Sequence, residues 1–115
     1  MTMQEISERY RIPMDVLKEY EKWGLHNTIE KALDKQEYDD QDIGQLSMIM
    51  TLHGIGFETE EVKEYMYLLQ KGELTEKNRL SMLNKKRREV LDEIHFKETQ
   101  INQLDYLRYK IRSAG

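Results

Sequence analysis

The sequence predicts a mainly α-helical protein in which several short helices precede one long helix. Apolar residues recur at helical spacing along most of the chain, and its 115 residues include one proline and six glycines. From Thr75 to Arg112 there is neither glycine nor proline. Because 38% of the residues are hydrophobic and 35% are charged, the chain offers material for only a thin core. We therefore expect it to bury further surface by dimerising.

The composition argues against several classes of functional site. Cysteine is absent, which removes disulfides, thiolate nucleophiles and cysteine-based zinc sites. The three histidines are far apart, and the sequence has no phosphate-binding glycine loop or nucleophile elbow. We expect no catalytic residue, no metal and no cofactor. The sequence also has neither a membrane-spanning apolar run nor a signal peptide, which predicts a soluble, cytoplasmic protein.

The first 25 residues contain two short helical segments joined by a tight turn. The first runs from Met3 to Arg9. The second begins at Pro13, whose missing N–H costs nothing in a first helical turn, and stops at Gly24. This is the helix-turn-helix pattern, in which the second helix commonly enters the major groove of DNA. On spacing alone, an ordinary helical hairpin explains the pattern equally well.

The middle of the chain predicts two further helices. Residues 26–37 carry no strong helical stripe and could form a loop or a small two-stranded wing. A third helix is expected after an N-cap at Asp39 or Asp40, and glycines at 54 and 56 interrupt it. Thr59 opens a fourth helix, because the glutamates that follow it suit the positive end of a helix dipole.

The uninterrupted segment at the end predicts a helix of about 38 residues, roughly 57 Å long. Its apolar residues follow a heptad seam, made of Leu83, Val90, Ile94, Ile101, Leu104 and Ile111. Arg87, Lys97 and Arg108 occupy the remaining seam positions, where polar residues weaken a coiled coil but can fix its register. A helix this polar needs a partner, so we interpret it as a dimerisation arm. The alternative is that it packs against its own domain.

The distribution of charge bears on a DNA-binding function. Residues 1–40 contain six Lys/Arg and ten Asp/Glu, a net charge of −4, whereas residues 41–115 contain twelve of each. DNA binding usually relies on cations that neutralise phosphates, so the acidic first part argues against strong non-specific binding. The basic run Lys85–Arg88 could contact nucleic acid or an acidic partner. A solvated helix face next to Glu89 explains that run more simply.

Several short motifs occur in a specific order along the first 69 residues. They are VLKEYEKWGL, which ends at Leu25, YDDQDIGQL, which begins at Tyr38, and HGIGFETEEVKEYM, which contains Phe57. With the long helix after them, these motifs resemble the MerR family of bacterial transcription regulators. The resemblance implies a winged helix-turn-helix in residues 1–72 and an antiparallel coiled-coil helix in residues 73–115 that forms a homodimer. With no cysteine and an end at Gly115, we expect a short form without an effector-binding domain.

The resemblance also implies a set of DNA contacts, on a recognition helix in residues 13–23 and on the wing. They are Arg11, Asp15, Lys18, Tyr20 and Lys22 on or beside the helix, and Lys31 and Lys35 on the wing. The cations near the helix would anchor phosphates, and Asp15 could accept a hydrogen bond from a cytosine amino group. The wing departs from the family pattern, because Glu30 and Gln36 stand where the family usually has arginines.

Two functions therefore remain open. The first is a homodimeric regulator that reads a palindromic site in double-stranded DNA. The second is a dimeric interaction module that keeps the fold, has weakened or lost DNA binding, and presents its acidic first part to a basic protein partner. Trp23, at the end of the second helix, is either an interface residue or part of the core.

Overall fold

The computed structural model describes residues 2–25 and 38–114, and all regular secondary structure within those ranges is helical. The elements are α1 (Met3–Tyr10), α2 (Met14–Lys22), α3 (Asp40–Gly54), α4 (Thr59–Lys71), a 3-10 turn (Gly72–Thr75) and α5 (Glu76–Ala114). A mainly α fold, in which a helix-turn-helix is followed by a long helix, is thus confirmed. The predicted wing in residues 26–37 lies outside the described residues.

The chain divides into two compact units, Met1–Lys71 and Gly72–Gly115, which we call the head and the arm. The sequence of the head contains eight Lys/Arg and fifteen Asp/Glu, a net charge of −7. The arm contains ten Lys/Arg and seven Asp/Glu, a net charge of +3. The structural boundary therefore separates an acidic head from a basic arm more sharply than a division at residue 40 does.

The turn between α1 and α2 is fixed by backbone and side-chain hydrogen bonds. Arg11 adopts the left-handed conformation, with φ of 56°, and its N–H donates to the Ser7 carbonyl. The Ser7 hydroxyl donates in turn to the Ile12 carbonyl at 2.7 Å. Pro13 then caps α2 without a side-chain hydrogen bond. A left-handed non-glycine residue is uncommon, and here it lets the chain reverse within three residues.

The core of the head is built from the apolar stripes of all four helices. Its most deeply buried side chains are Ile6, Leu17, Tyr20, Leu46, Ile49 and Val62. Phe57, in the connection between α3 and α4, is 4% exposed and also belongs to the core. Asp39 rather than Asp40 caps α3, because its carboxylate accepts from the Asp42 N–H while the Asp42 carboxylate accepts from the Asp39 N–H.

The arm consists of the 3-10 turn and α5, which has 39 residues. The turn is tied to the helix by Arg79, whose Nε donates to Thr75 Oγ1 at 3.1 Å and whose Nη2 lies 3.4 Å from the Gly72 carbonyl. No residue of α5 between Glu76 and Ala114 is fully buried. Across the ranges that the structure describes, no helix combines the length and the hydropathy needed to cross a membrane.

Candidate nucleic-acid interface

Helix α2 presents one polar face to solvent. Asp15, Lys18 and Lys22 follow one another at intervals of three and four residues, so they share a face, and all three are exposed. On the opposite side Leu17 and Tyr20 are fully buried, which fixes the helix against the head. Three of the predicted DNA contacts are therefore brought together on one surface.

The cations of this face are available to a ligand. Lys22 forms an ion pair with Glu19, with 3.6 Å between Nζ and Oε1, but its side chain is 73% exposed. Such a pair contributes little and is readily exchanged for another anion. Arg11, in the turn before α2, is exposed as well. The described part of the predicted DNA surface thus has three cations and one carboxylate, that of Asp15, although the whole head is acidic.

The structure corrects the prediction that Tyr20 contacts DNA. Its side chain is 0% exposed, and its hydroxyl donates to Asp42 Oδ1 at 2.6 Å and also approaches Gln45 Oε1 at 2.5 Å. The ring lies between α2 and α3, where no phosphate can reach it. The residue was assigned from the family pattern, whereas its position on α2 places it on the apolar side with Leu17.

A second hydrogen bond from a tyrosine hydroxyl joins α2 to the segment just before α3. Tyr38, just before α3, is 5% exposed and donates to Glu21 Oε1 at 2.5 Å. The rings of Tyr20 and Tyr38 lie 6.5 Å apart, centroid to centroid, with an interplanar angle of 31°. The motif residues Tyr20, Glu21, Tyr38 and Asp42 therefore form one cluster that holds α2 at a fixed angle to α3. They hold α2 in place against α3.

This cluster changes the acidity of both tyrosines. Burial raises the pKa of Tyr20 far above its ordinary value, and the hydrogen bond to the Asp42 carboxylate raises it further. Burial likewise raises the pKa of Tyr38, with a further contribution from the hydrogen bond to Glu21. Both hydroxyls consequently remain protonated donors throughout the physiological pH range.

The predicted wing contacts, Lys31 and Lys35, lie outside the described residues, as do Glu30 and Gln36. These assignments stay predictions. Among the residues that the structure does describe, no group of three or more histidine, aspartate or glutamate side chains could hold a metal ion.

The predicted seam residues of the arm are all on α5, and most of them are exposed in the single chain. Val90 is 38% exposed, Ile94 47% and Ile111 76%. Ile101 and Leu104 have similar exposure, and Leu83 is half-buried. A row of large apolar side chains thus lies on the surface of a helix in which 16 of the 39 residues are charged.

Together, α1, the tight turn and α2 define a helix-turn-helix protein, and a long helix follows. Residues 1–69 match the family model described as "MerR HTH family regulatory protein". Since the match spans more than half of the chain, the protein belongs to that family. Membership points to a regulatory protein rather than to an enzyme.

A solved structure supports the fold. The chain is similar to a protein of Listeria monocytogenes described provisionally as a MerR family transcriptional regulator, with a TM-score of 0.68 and 23% sequence identity. The similarity covers 92% of this chain and 81% of the Listeria chain. No protein with a curated description matches the sequence.

Proposed function

We propose that this protein is a homodimeric transcription regulator that reads a palindromic site in double-stranded DNA with α2. The observation that carries the proposal is the orientation of α2, which buries Leu17 and Tyr20 and presents Asp15, Lys18 and Lys22 on one exposed face. A helix held in this way is suited to insertion into a major groove.

Each residue of that face has a chemical role in the proposal. Arg11, Lys18 and Lys22 bind phosphates and set the register of the helix on the duplex. Asp15, at the N-terminal end of α2, accepts a hydrogen bond from a cytosine amino group. Lys31 and Lys35, in the segment predicted to form a wing, add phosphate contacts. Tyr20 is left out of this set because its side chain is buried.

Two copies are needed because the arm exposes an apolar seam that no residue of the same helix covers. A coiled coil buries such a seam and places two heads at a fixed separation, which a palindromic site matches.

The seam cations favour the antiparallel orientation. In a parallel, in-register pair, Arg87, Lys97 and Arg108 would each face their own copy. In an antiparallel pair aligned so that Val90 faces Ile101 of the second copy, each of these cations faces an apolar residue.

The proposal is tested by selecting bound fragments from random genomic DNA at low salt and sequencing them. An enriched palindromic motif is the expected result. With that motif as probe, Lys18→Ala should weaken binding about tenfold or more and lower the salt dependence by roughly one unit of slope. Lys71→Ala, which changes an exposed cation at the far end of α4, is the matched control and should leave both quantities unchanged.

A second candidate function is favoured by the net charge of −7 on the head. In this alternative the dimer keeps its fold but serves as a protein-interaction module. Salt distinguishes the two functions, because DNA affinity falls with a log–log slope of about −0.9 for each phosphate neutralised. A folded dimer that enriches no motif, or that binds DNA without this dependence, would favour the interaction module.

A further inference from the structure

Met14 is a large apolar residue on the exposed face of α2. It is the first residue of the helix and is 40% exposed. At about 3.6 residues per turn, its position falls within an arc of about 100° that also contains Asp15, Lys18 and Lys22. Leu17, which is fully buried, lies outside this arc. Met14 therefore belongs to the same surface as three of the predicted DNA contacts.

The place of Met14 at the start of α2 determines what it can reach. When a recognition helix enters the major groove, its N-terminal residues are the ones that contact base edges. Met14 begins α2 and Lys22 ends it, so the two lie roughly 12 Å apart along the helix axis. In the proposed function, Met14 thus lies beside the bases and Lys22 lies beside the phosphate backbone.

The chemistry of the Met14 side chain selects one group in the groove. A methionine has no charge to neutralise a phosphate and no hydrogen-bond donor to offer a base. Among the base edges in the major groove, only that of thymine presents a methyl group. Three rotatable bonds and a polarizable sulfur let a methionine adjust to such a surface. Contact between the two would remove apolar surface of Met14 from water.

We propose that Met14 reads a thymine by contact with its 5-methyl group, which makes Met14 a specificity-determining residue of this protein. The inference rests on the proposed function, because it requires α2 to lie in the major groove. It also constrains the site. Met14 and Asp15 are consecutive, with Cα atoms about 3.8 Å apart, and successive base pairs are about 3.4 Å apart. The thymine should therefore lie within about two base pairs of the cytosine that Asp15 contacts.

The test uses the DNA motif that the full-length protein enriches. Each thymine of one half-site is replaced in turn by uracil, which pairs with adenine in the same way and lacks only the methyl group. Binding is measured by fluorescence anisotropy at one fixed salt concentration. One of these substitutions should weaken binding of the unmodified protein about fourfold, which is the effect of removing one methyl group from an apolar contact.

The variant Met14→Ala should weaken binding to the thymine site about fourfold or more, and it should bind the thymine and uracil sites equally well. Loss of this preference identifies a contact with the methyl group, because a general disturbance of α2 would weaken both sites alike and so keep the preference. Ile55→Ala is the matched control, since Ile55 is 41% exposed at the end of α3, outside the predicted DNA surface. It should retain both the affinity and the preference for thymine.

The outcomes separate this inference from the proposed function. If no motif is enriched, the proposed function fails and the inference fails with it. If a motif is enriched but no uracil substitution weakens binding, the proposed function stands and the inference alone is overturned. Persistence of the thymine preference in Met14→Ala would overturn it as well, and this is the result expected of an exposed methionine that has no role in recognition.

Discussion

Two tyrosine hydroxyls connect α2 to the beginning of α3. Tyr20 donates to the buried Asp42 and Tyr38 donates to Glu21, so a pair of bonds fixes the angle between the two helices. In a DNA-binding protein a small error in that angle would move the exposed face of α2 relative to the bases. In the proposed function these residues influence recognition without contacting DNA.

The variant Tyr20→Phe should destabilise the head by about 1–3 kcal/mol, because Asp42, which is 2% exposed, would lose a hydrogen-bond donor. The measurement is urea unfolding followed by circular dichroism at one fixed protein concentration, since dimerisation would contribute to the apparent stability. Tyr10→Phe is the matched control, because the Tyr10 side chain is 42% exposed and its loss of a hydroxyl should be nearly neutral. Equal unfolding midpoints for the two variants would contradict the role assigned to Tyr20.

The raised pKa values of the two tyrosines predict a loss of stability at high pH. An unfolded tyrosine titrates near pH 10, so above about pH 10 the unfolded state releases protons that the folded state retains. The contribution of these two tyrosines to the free energy of unfolding is therefore fully present below about pH 10 and is lost as the pH rises further. The slope approaches about 1.4 kcal/mol per pH unit for each tyrosine. Thermal unfolding between pH 8 and 11.5 measures it, and Tyr20→Phe should give a shallower fall; an unchanged slope would refute the explanation.

At the residue level the sequence motifs contain the residues of the tyrosine cluster but do not show that they touch. Tyr20 and Glu21 belong to VLKEYEKWGL, and Tyr38 and Asp42 belong to YDDQDIGQL. Their mutual contacts span 17 and 22 positions, and local periodicity contains no information about pairs so far apart. The apolar stripe of α2 could have shown that Tyr20 lies on the same side as Leu17, and this was the available signal for its burial.

The helices themselves were largely predictable, because their ends are marked by local chemistry. Asp39 forms a capping box with Asp42, Gly24 and Gly72 have positive φ after α2 and α4, and acidic residues follow Thr59. The 3-10 turn before α5 was not predicted. Its hydrogen bonds include one within the turn, from the Thr75 hydroxyl to the Gly72 carbonyl, and two from Arg79 of α5, and local periodicity does not indicate either kind.

The exposed seam of α5 leads to a prediction about the orientation of the dimer. The chain has no cysteine, so single introduced thiols can be followed without background. In the proposed antiparallel alignment, Val90→Cys mixed with a mass-tagged Ile101→Cys should form a disulfide between copies, whereas neither variant should do so alone. Phe96→Cys, which is off the seam, replaces Val90→Cys in the control mixture. Rapid cross-linking of Val90→Cys with itself would instead show a parallel pair.

The two units of the molecule differ in sign, with a net charge of −7 on the head and +3 on the arm. The sequence predicted an acidic first part. The difference in net charge between the two parts is larger when the chain is divided after Lys71, at the structural boundary. The head also has a groove on the flank of α2 that could not be predicted, since its described lining comes from α2, α3 and α4 and extends from Pro13 to Thr59. Such a groove exists only after the helices have packed.

The absence of any fully buried residue between Glu76 and Ala114 has a consequence for how the protein would respond to its own abundance. If two arms must pair before two heads can engage both halves of a site, free chains are inactive until they meet. At concentrations below the dimer dissociation constant, occupancy of the site would rise with the square of the number of chains. A modest change in synthesis or degradation would then act as the input signal, converting a graded supply of protein into a steep change in transcription.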